Sequence, residues 1–524
     1  MNIRLPNKKI LFLIIAFFAS RLYFLNANPI FFDSPEYLRR LANPEFLTAL
    51  YSGHLPLHAG YILFFWPVFH FGQILSFNPS VITVIIQIIL SFLTVLAFYK
   101  FCKFILGSSK AWFSTIIISI LPLYWITNVT LMMETTYIAF FIFSLYFLSR
   151  YVTSKKSSNA FMLLSLISFL LSFTTHIIVL LWIPFLCFFL FMYQPKKIIP
   201  YAIYLFLTII TASIINGYFI SLTMQTNLLK GIELLYFSKL GEHASISLSS
   251  SEGIFVILRN LLIPLLRNNT FLIVALSVLS LVLTYKRNAK IFILCALWIA
   301  PSIIANQWWD SLFYGRHALI ASFALAFVIG YVINKKVFAI IIIYLLFVSL
   351  PAMNLLKYET PYQREIITIS QLETNGVLIE SHFARPQVDR IYEGTVIFVD
   401  EPGWKTDQLD SQIQNAIANN KPVYVSSQAL SEPYGLFSGP YLHTLSLSYK
   451  KDYVLKKTLS NFTLKKTKQT NYDDDLSMYQ VTSNNPSPYP HVPVKMFDKR
   501  RMDFTDPFMQ IWFFIKNYFN INYV

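Results

Sequence analysis

The stretch 31–65, FFDSPEYLRRLANPEFLTALYSGHLPLHAGYILFF, gathers Asp33, Glu36, Arg39, Arg40, Glu45, His54 and His58 directly after the first apolar segment. Carboxylates and imidazoles are the side chains that most often move protons in catalysis. Next to a bilayer such groups are costly to keep, and they mark function more often than structure. Asp33 has the chemistry of a base for a hydroxyl or amine nucleophile. Glu36, three residues on, shares its side of a helical turn. Asp33 would also cap a short helix over 34–41, with Ser34 and Pro35 at its start. The two roles are compatible.

His54 and His58, in GHLPLHAGY, stand four apart, but Pro56 between them makes a regular helix doubtful. Three readings stay open for the pair: phosphate or sugar contacts, packing at the interface, and metal ligation. No third metal ligand stands at a suggestive spacing, so no metal is expected. Glu134, in NVTLMMETTYIAF, opens an apolar segment. There it either complements the helix dipole or acts as a second acceptor-binding carboxylate. Arg316, in FYGRHALI, follows an aromatic loop. Its planar fork suits a phosphate group, and the alternative is an arginine snorkelling to the interface or neutralised by Asp310. Arg21 lies within the first apolar segment and needs a partner, with Asp33 and Glu134 as candidates. His176 and His243 carry no assigned role.

These residues have to be positioned by a membrane protein. The chain is 524 residues long, 55% hydrophobic and 13% charged, with mean hydropathy +0.53. A soluble domain carries roughly 25% charged residues. Apolar runs suited to crossing a bilayer fall near 9–27, 79–99, 111–128, 134–150, 158–175, 177–195, 199–218, 271–286, 289–305, 317–334 and 337–353. The first of them, behind a basic start and without a small-residue cleavage site, reads as a retained anchor. Cys102, Cys187 and Cys295 sit in or beside apolar runs and offer neither a disulfide framework nor zinc spacing.

The stretch 59–77 is apolar yet holds Pro67, His70 and Gln73. If it does not span, the loops on one side carry sixteen basic residues, from Arg4 to Lys336, and no acid. Those sixteen equal the whole excess of 42 Lys and Arg over 26 Asp and Glu, as the positive-inside rule requires. The stretch is therefore expected to be a juxtamembrane or re-entrant helix in the first outer loop. The expectation is an α-helical polytopic protein of eleven spans, amino terminus cytoplasmic, with nearly all the unusual polar residues outside. The composition fits a bacterial cytoplasmic membrane.

After Leu355 charges and Asn/Ser rise, and the long apolar runs stop. GVLIE, TVIFVDEPG and KPVYVSS read as strands, with a helix over Asp407–Asn419 and later strands near Tyr441–Tyr449 and Leu476–Thr482. Lys465–Asp475 reads as an exposed loop. The division is thus 1–354 for the membrane region and 355–524 for a small extracytoplasmic α/β domain. The latter ends in an aromatic interfacial segment at Pro507–Val524.

Taken together, several short motifs resemble the GT-C glycosyltransferases, in their protein O-mannosyltransferase and aminoarabinose-transferase-like branches. They are Arg21 late in the first span, the acidic loop with Asp33, Glu36 and Tyr37, and the run His54-Leu-Pro-Leu-His58-Ala-Gly-Tyr61. Glu134 and the Tyr314-Gly-Arg316-His317 entry to a late span complete the set. Two features depart from the pattern: Asp33 is not directly followed by an acid, and Ala59 stands where proline is common.

The resemblance implies a polyprenyl-phosphate sugar donor met in the membrane, transfer with inversion, and an acceptor that is protein, lipid or glycan. It implies Asp33, with Glu36, as the catalytic carboxylates. His54, His58, Glu134, Tyr314, Arg316 and His317 would bind substrate, Arg316 on the departing phosphate. Neither a cofactor nor nucleic acid is expected, and no Gly-rich phosphate loop occurs. The rival readings are a transporter or flippase of lipid-linked saccharide, a non-catalytic anchor for the tail, and the neighbouring O-antigen-type ligases or polymerases.

Overall fold

Within a bilayer a segment must satisfy its own backbone, and a helix does so. The computed structural model describes residues 8–27, 34–53, 57–154, 158–237, 269–308 and 319–354. In the C-terminal part it describes 368–381, 388, 391–399, 408–426, 429, 458–469 and 477–483. These residues form two compact units, a helical one drawn from 8–27 and 37–354 and an α/β one whose sheet lies within 377–483.

The helical part opens with α1 (Lys8–Tyr23), α2 (Ser34–Ala42), α3 (Phe46–Tyr51) and α4 (Ala59–Ile74). The next five are α5 (Pro79–Leu106), α6 (Ser108–Ile120), α7 (Pro122–Asn128), α8 (Glu134–Thr153) and α9 (Ser158–Thr175). A 3-10 turn over Ile177–Trp182 leads into α10 (Ile183–Tyr193), followed by α11 (Ile198–Thr223). The last four are α12 (Phe271–Arg287), α13 (Ala289–Trp308), α14 (Leu319–Val332) and α15 (Lys335–Asn354). Helix therefore occupies all eleven apolar runs and also the stretch 59–74.

Among the described residues, four helical segments are sufficient by length and composition to cross a bilayer: α5, α8, α9 and Pro195–Thr223. The pair α6–α7 makes a fifth if taken as one span. Ile10–Tyr23, Ile177–Tyr193, Ala289–Ser302 and Leu319–Val332 are apolar but shorter.

Two expected spans are not continuous α-helices. The run 111–128 bends by 65° between α6 and α7, because Pro122 has no N–H to give and its ring crowds the preceding turn. The run 177–195 opens as a 3-10 helix whose first turn is capped by His176, Nδ1 accepting from the Ile178 amide at 3.1 Å. Asparagine caps the starts of α5, α13 and α15. Asn78 accepts from the amides of Ser80 and Val81, Asn288 from Lys290 and Ile291, and Asn334 from Lys336 and Val337. Gly107, at φ 79°, ends α5 and lets α6 begin at the next residue.

Close helix packing comes from small residues and buried hydroxyls, as expected where lipid supplies no hydrophobic drive between helices. A Cβ on Gly330 of α14 would lie 2.1 Å from Ser114 Oγ of α6. Ser144 on α8, Ser165 on α9 and Tyr201 on α11 share hydrogen bonds of 2.9–3.1 Å. Arg21 is buried without a carboxylate partner among the described residues. Its Nη2 donates to the Ser119 carbonyl and its Nη1 to Ser20 Oγ at 2.9 Å, and its plane lies over Phe17 and Trp125. The Ser119 and Ile120 carbonyls belong to the last turn of α6, which the break at Pro122 leaves without helical donors. Ser349 Oγ supplies the second of them at 2.6 Å. The expected pairing of Arg21 with Glu134 is thus replaced by a helix break, and Asp33 lies outside the described residues.

The α/β unit has strands β1 (Val377–Ser381), β2 (Thr395–Val399), β3 (Val423–Ser426), β4 (Thr463–Gln469) and β5 (Ser477–Ser483), with α16 at Leu409–Ala418. Their order is β2-β1-β3-β5-β4. β1 pairs in parallel with β2 (Ile379 opposite Ile397) and β3 (Ile379 opposite Val425), while β5 runs antiparallel to β3 and β4. Strand alternation sorts the core onto two faces. Val377, Ile379, Ile397, Val423 and Val425 meet Leu409 and Ile413 of α16. Leu378, Phe398 and Tyr424 meet Val388 and Tyr392.

The loop expected over Lys465–Asp475 is corrected in its first part, since Lys465–Gln469 belongs to β4. Its lysines sit on the outermost strand, where charge blunts an open edge. The strand expected near Tyr441–Tyr449 lies outside the described residues.

Candidate active site

The first polar loop is built around a buried arginine. Arg40 on α2 donates from Nε to the Ala49 carbonyl (2.9 Å), from Nη2 to Leu50 (2.7 Å) and from Nη1 to Leu57 (2.5 Å). Arg39 Nη2 takes the Ser52 carbonyl at 3.0 Å, and Thr223 Oγ1 of α11 takes that of Tyr51. Four successive carbonyls at the end of α3 are thereby satisfied by side chains, and the chain entering His58 is tied to the same guanidinium. Trp66 Nε1 and His70 Nε2 of α4 both bond the Asn43 carbonyl, at 2.8 and 3.1 Å. A carbonyl only accepts, so His70 carries its proton on Nε2 there.

His58 sits at φ 48°, ψ 37°, a left-handed conformation uncommon for a residue other than glycine. Its Nδ1 bonds the Thr175 carbonyl at 3.0 Å, so Nδ1 is the protonated nitrogen. The next turn of α4 presses on the same place: a Cβ on Gly60 would lie 2.4 Å from Thr175 Oγ1 and 2.7 Å from its amide nitrogen. This close approach explains a glycine two residues after His58.

Around His58 runs a chain of rings. Tyr61 lies 5.1 Å from Tyr37, Tyr37 5.9 Å edge-on to His58, His58 5.3 Å from His176, and His176 5.2 Å from Tyr137 (centroid distances). All five side chains are buried. The two imidazoles have opposite tautomers, because His176 Nδ1 accepts from an amide whereas His58 Nδ1 donates to a carbonyl.

Glu134 closes this set. It opens α8, three residues before Tyr137, is 0% exposed, and lies close to Tyr61. The loop before it is anchored by Gln87 of α5, whose Nε2 donates to the carbonyls of Thr127 (2.7 Å) and Thr130 (2.5 Å). Thr135 Oγ1 adds a bond to Thr127 at 2.8 Å. A buried carboxylate beside phenols can accept hydrogen bonds from hydroxyl or amine groups and hold a proton taken from one.

Of the residues singled out from sequence, His58 and Glu134 belong to one buried cluster. Glu36 stands in the first turn of α2, the helix that also carries Tyr37 and Arg40. Asp33, His54, Tyr314, Arg316 and His317 lie outside the described residues. Sequence reasoning set His176 aside and assigned nothing to Arg40 or Tyr137. The spacing of Glu134 and Tyr137 on one helical side was a usable signal for the last of these. No local pattern pointed to His176. Among the described residues no group of three His, Cys, Asp or Glu stands together as a metal would need.

No family model matches this chain, and no curated protein matches it in sequence. Solved structures do match in fold. The ArnT of Cupriavidus metallidurans bound to undecaprenyl phosphate aligns at TM-score 0.54 and 11% identity, covering 91% of this chain and 99% of that one. Its apo form gives 0.55 and 10%, covering 92% and 100%. The Archaeoglobus fulgidus oligosaccharyltransferase in the apo form gives 0.51 and 13%, covering 82% and 71%. These proteins are GT-C glycosyltransferases of the membrane, and theirs is the fold of this chain.

Proposed function

We propose that this protein is a membrane glycosyltransferase that moves a sugar from a polyprenyl-phosphate donor to an acceptor on the extracytoplasmic face. The observation that carries the reading is the fold likeness over nine-tenths of the chain to a transferase whose structure holds undecaprenyl phosphate. The buried Glu134, at the start of the helix whose Tyr137 packs on His176, supports it. The outer placement rests on charge, because the basic excess falls in the loops of the opposite side.

In this reading the acceptor's hydroxyl or amine attacks the anomeric carbon from the side opposite the phosphate. The new glycosidic bond forms as the carbon–oxygen bond to phosphate breaks, and the anomeric configuration inverts. The proton passes to the Asp33 carboxylate, with Glu36 as the second carboxylate. Charge developing on the departing polyprenyl phosphate is met by Arg316, bracketed by Tyr314 and His317. Glu134 orients the acceptor, and His58 and His54 line the pocket. The segment 355–524 forms the extracytoplasmic domain.

The test is transfer of radiolabelled sugar from polyprenyl phosphate in membranes or nanodiscs. Asp33→Asn is expected to abolish transfer while insertion and melting stay those of wild type. A variant that transfers at the wild-type rate would remove Asp33 from the mechanism. Passage of intact lipid-linked sugar across the bilayer without a glycosidic product would replace the enzyme by a transporter.

A further inference from the structure

At one end of the helical unit, basic residues gather where helices begin and end. Lys286 and Arg287 close α12, and Lys290 stands in the first turn of α13. Lys110 stands in the first turn of α6, and Lys335 and Lys336 open α15. α12 packs on α14, α14 on α6, and α6 on α15. Phe113 and Phe338, each three residues inside Lys110 and Lys335, stack at 4.4 Å. Neither these helices nor the turns that join α12 to α13 and α14 to α15 hold an acid.

The centre of the group is fixed by packing. Gly330 lets α14 come so close to α6 that a Cβ there would lie 3.0 Å from the Lys110 carbonyl. Lys110 Nζ is held 4.3 Å from the ring centre of Tyr331, the last residue but one of α14, and Arg287 of α12 lies close to Lys110. Among the described residues no carboxylate pairs with either cation. Like charges held together repel, and an anion between them relieves that cost. The positive-inside rule asks only that basic residues share a side of the membrane. It does not require Lys110 of one helix to meet Arg287 of another over a tyrosine ring. An ammonium and a guanidinium side by side suit a phosphate.

The surface next to this group suits acyl chains. Leu279 and Val282 stand seven and four residues before Lys286, on its side of α12, and both are exposed. A phosphate carried on a lipid would therefore find charge at the helix ends and an apolar helix face beneath it.

We propose that the ends of α6, α12 and α14 bind the phosphate of an anionic phospholipid, with Lys110 and Arg287 on its oxygens and its acyl chains along Leu279 and Val282. Basic pockets between membrane helices hold acidic headgroups in this way. The lipid belongs to the leaflet on the side of the basic loops. The site rests on the helical unit alone and stands whether or not the proposed sugar transfer does.

The experiment is native mass spectrometry of the full chain in detergent, titrated with phosphatidylglycerol or with phosphatidylcholine of the same chains. Phosphatidylglycerol is expected to bind the tighter of the two. Lys110→Gln combined with Arg287→Gln should weaken it about tenfold or more, with phosphatidylcholine binding and melting unchanged. Arg287→Gln alone, at an exposed position, should weaken it by a smaller factor, and it carries the test if the double variant fails to fold. Arg150→Gln combined with Lys196→Gln removes the same charge from other helices and should leave binding as in wild type. Equal weakening by the two double variants, or no preference between the lipids, overturns the proposal. Release of phosphatidylglycerol by inorganic phosphate at millimolar concentration also overturns it and assigns the cluster to a soluble anion.

Discussion

The helical unit and the α/β unit bury their polar groups in opposite ways. In the helical unit a buried polar side chain commonly finishes a piece of backbone. Arg40 takes three carbonyls around α3 and the entry to α4, Arg21 and Ser349 take the last turn of α6, and Gln87 takes Thr127 and Thr130. In the α/β unit the strand ladders complete the backbone, and the buried contact between Glu380 and Ser426 joins side chain to side chain. The reason is geometric. Short and broken helices leave last-turn carbonyls inside, where no water reaches them, whereas paired strands leave few.

The largest expected effect tests that difference directly. Arg40→Met keeps the bulk but leaves three carbonyls without a donor, at roughly 1–3 kcal/mol for each buried group. The melting temperature in detergent and the folded yield should both fall sharply. Arg40→Lys should recover only part, because an ammonium lacks the fork that reaches three acceptors. Wild-type melting of Arg40→Met would mean that the loop is closed by something else.

In the α/β unit the corresponding weak point is apolar. Ile413 of α16 is fully buried against β1 and β3. Ile413→Ala should cost about 2–4 kcal/mol, read as faster hydrogen exchange of the β1 and β3 amides. Exchange in α5 and α8 should stay unchanged, and equal acceleration there would show that the units unfold together.

A smaller effect is expected at a helix start. Asn78→Ala removes the acceptor for two amides of α5 and should cost about 1 kcal/mol. The increase in hydrogen exchange should be confined to the first turn of that helix.

The smallest concerns alkaline pH. Burial, with Tyr424 and Glu373 nearby, raises the Tyr392 phenol to about 12, against about 10 for a free tyrosine. A pKa raised by folding means stability that is whole below pH ~10 and lost as pH climbs toward ~12. Exchange of the β1 amides should quicken over that interval. Tyr392→Phe should flatten the dependence, although it also removes the bond from the hydroxyl to the Glu373 carbonyl.

Much of this was legible because the signals are local. Apolar run length placed helix in every expected segment, and β-branched runs marked β1, β2 and β3 with α16 between the last two. The break at Pro122 was missed, although a proline within an apolar run is itself a warning of a bend. β4 was missed because an outer strand rich in lysine has the composition of a loop. In the buried cluster, Glu134 and His58 had drawn attention by residue type at a segment boundary. His176 had not, since what gives it meaning is a ring 118 positions earlier in the chain.

The sequence by itself determined where helices and strands form, which loops carry the positive excess, and which carboxylates and imidazoles stand at segment ends. Each of those follows from side-chain transfer energies and spacing within a few residues. Tertiary structure alone decided that Arg21 answers a broken helix, that Arg40 closes the polar loop, and that His58, His176, Tyr61 and Glu134 share one buried cluster. Those pairings depend on which distant backbone groups are left without hydrogen bonds, and that is settled only when the helices pack.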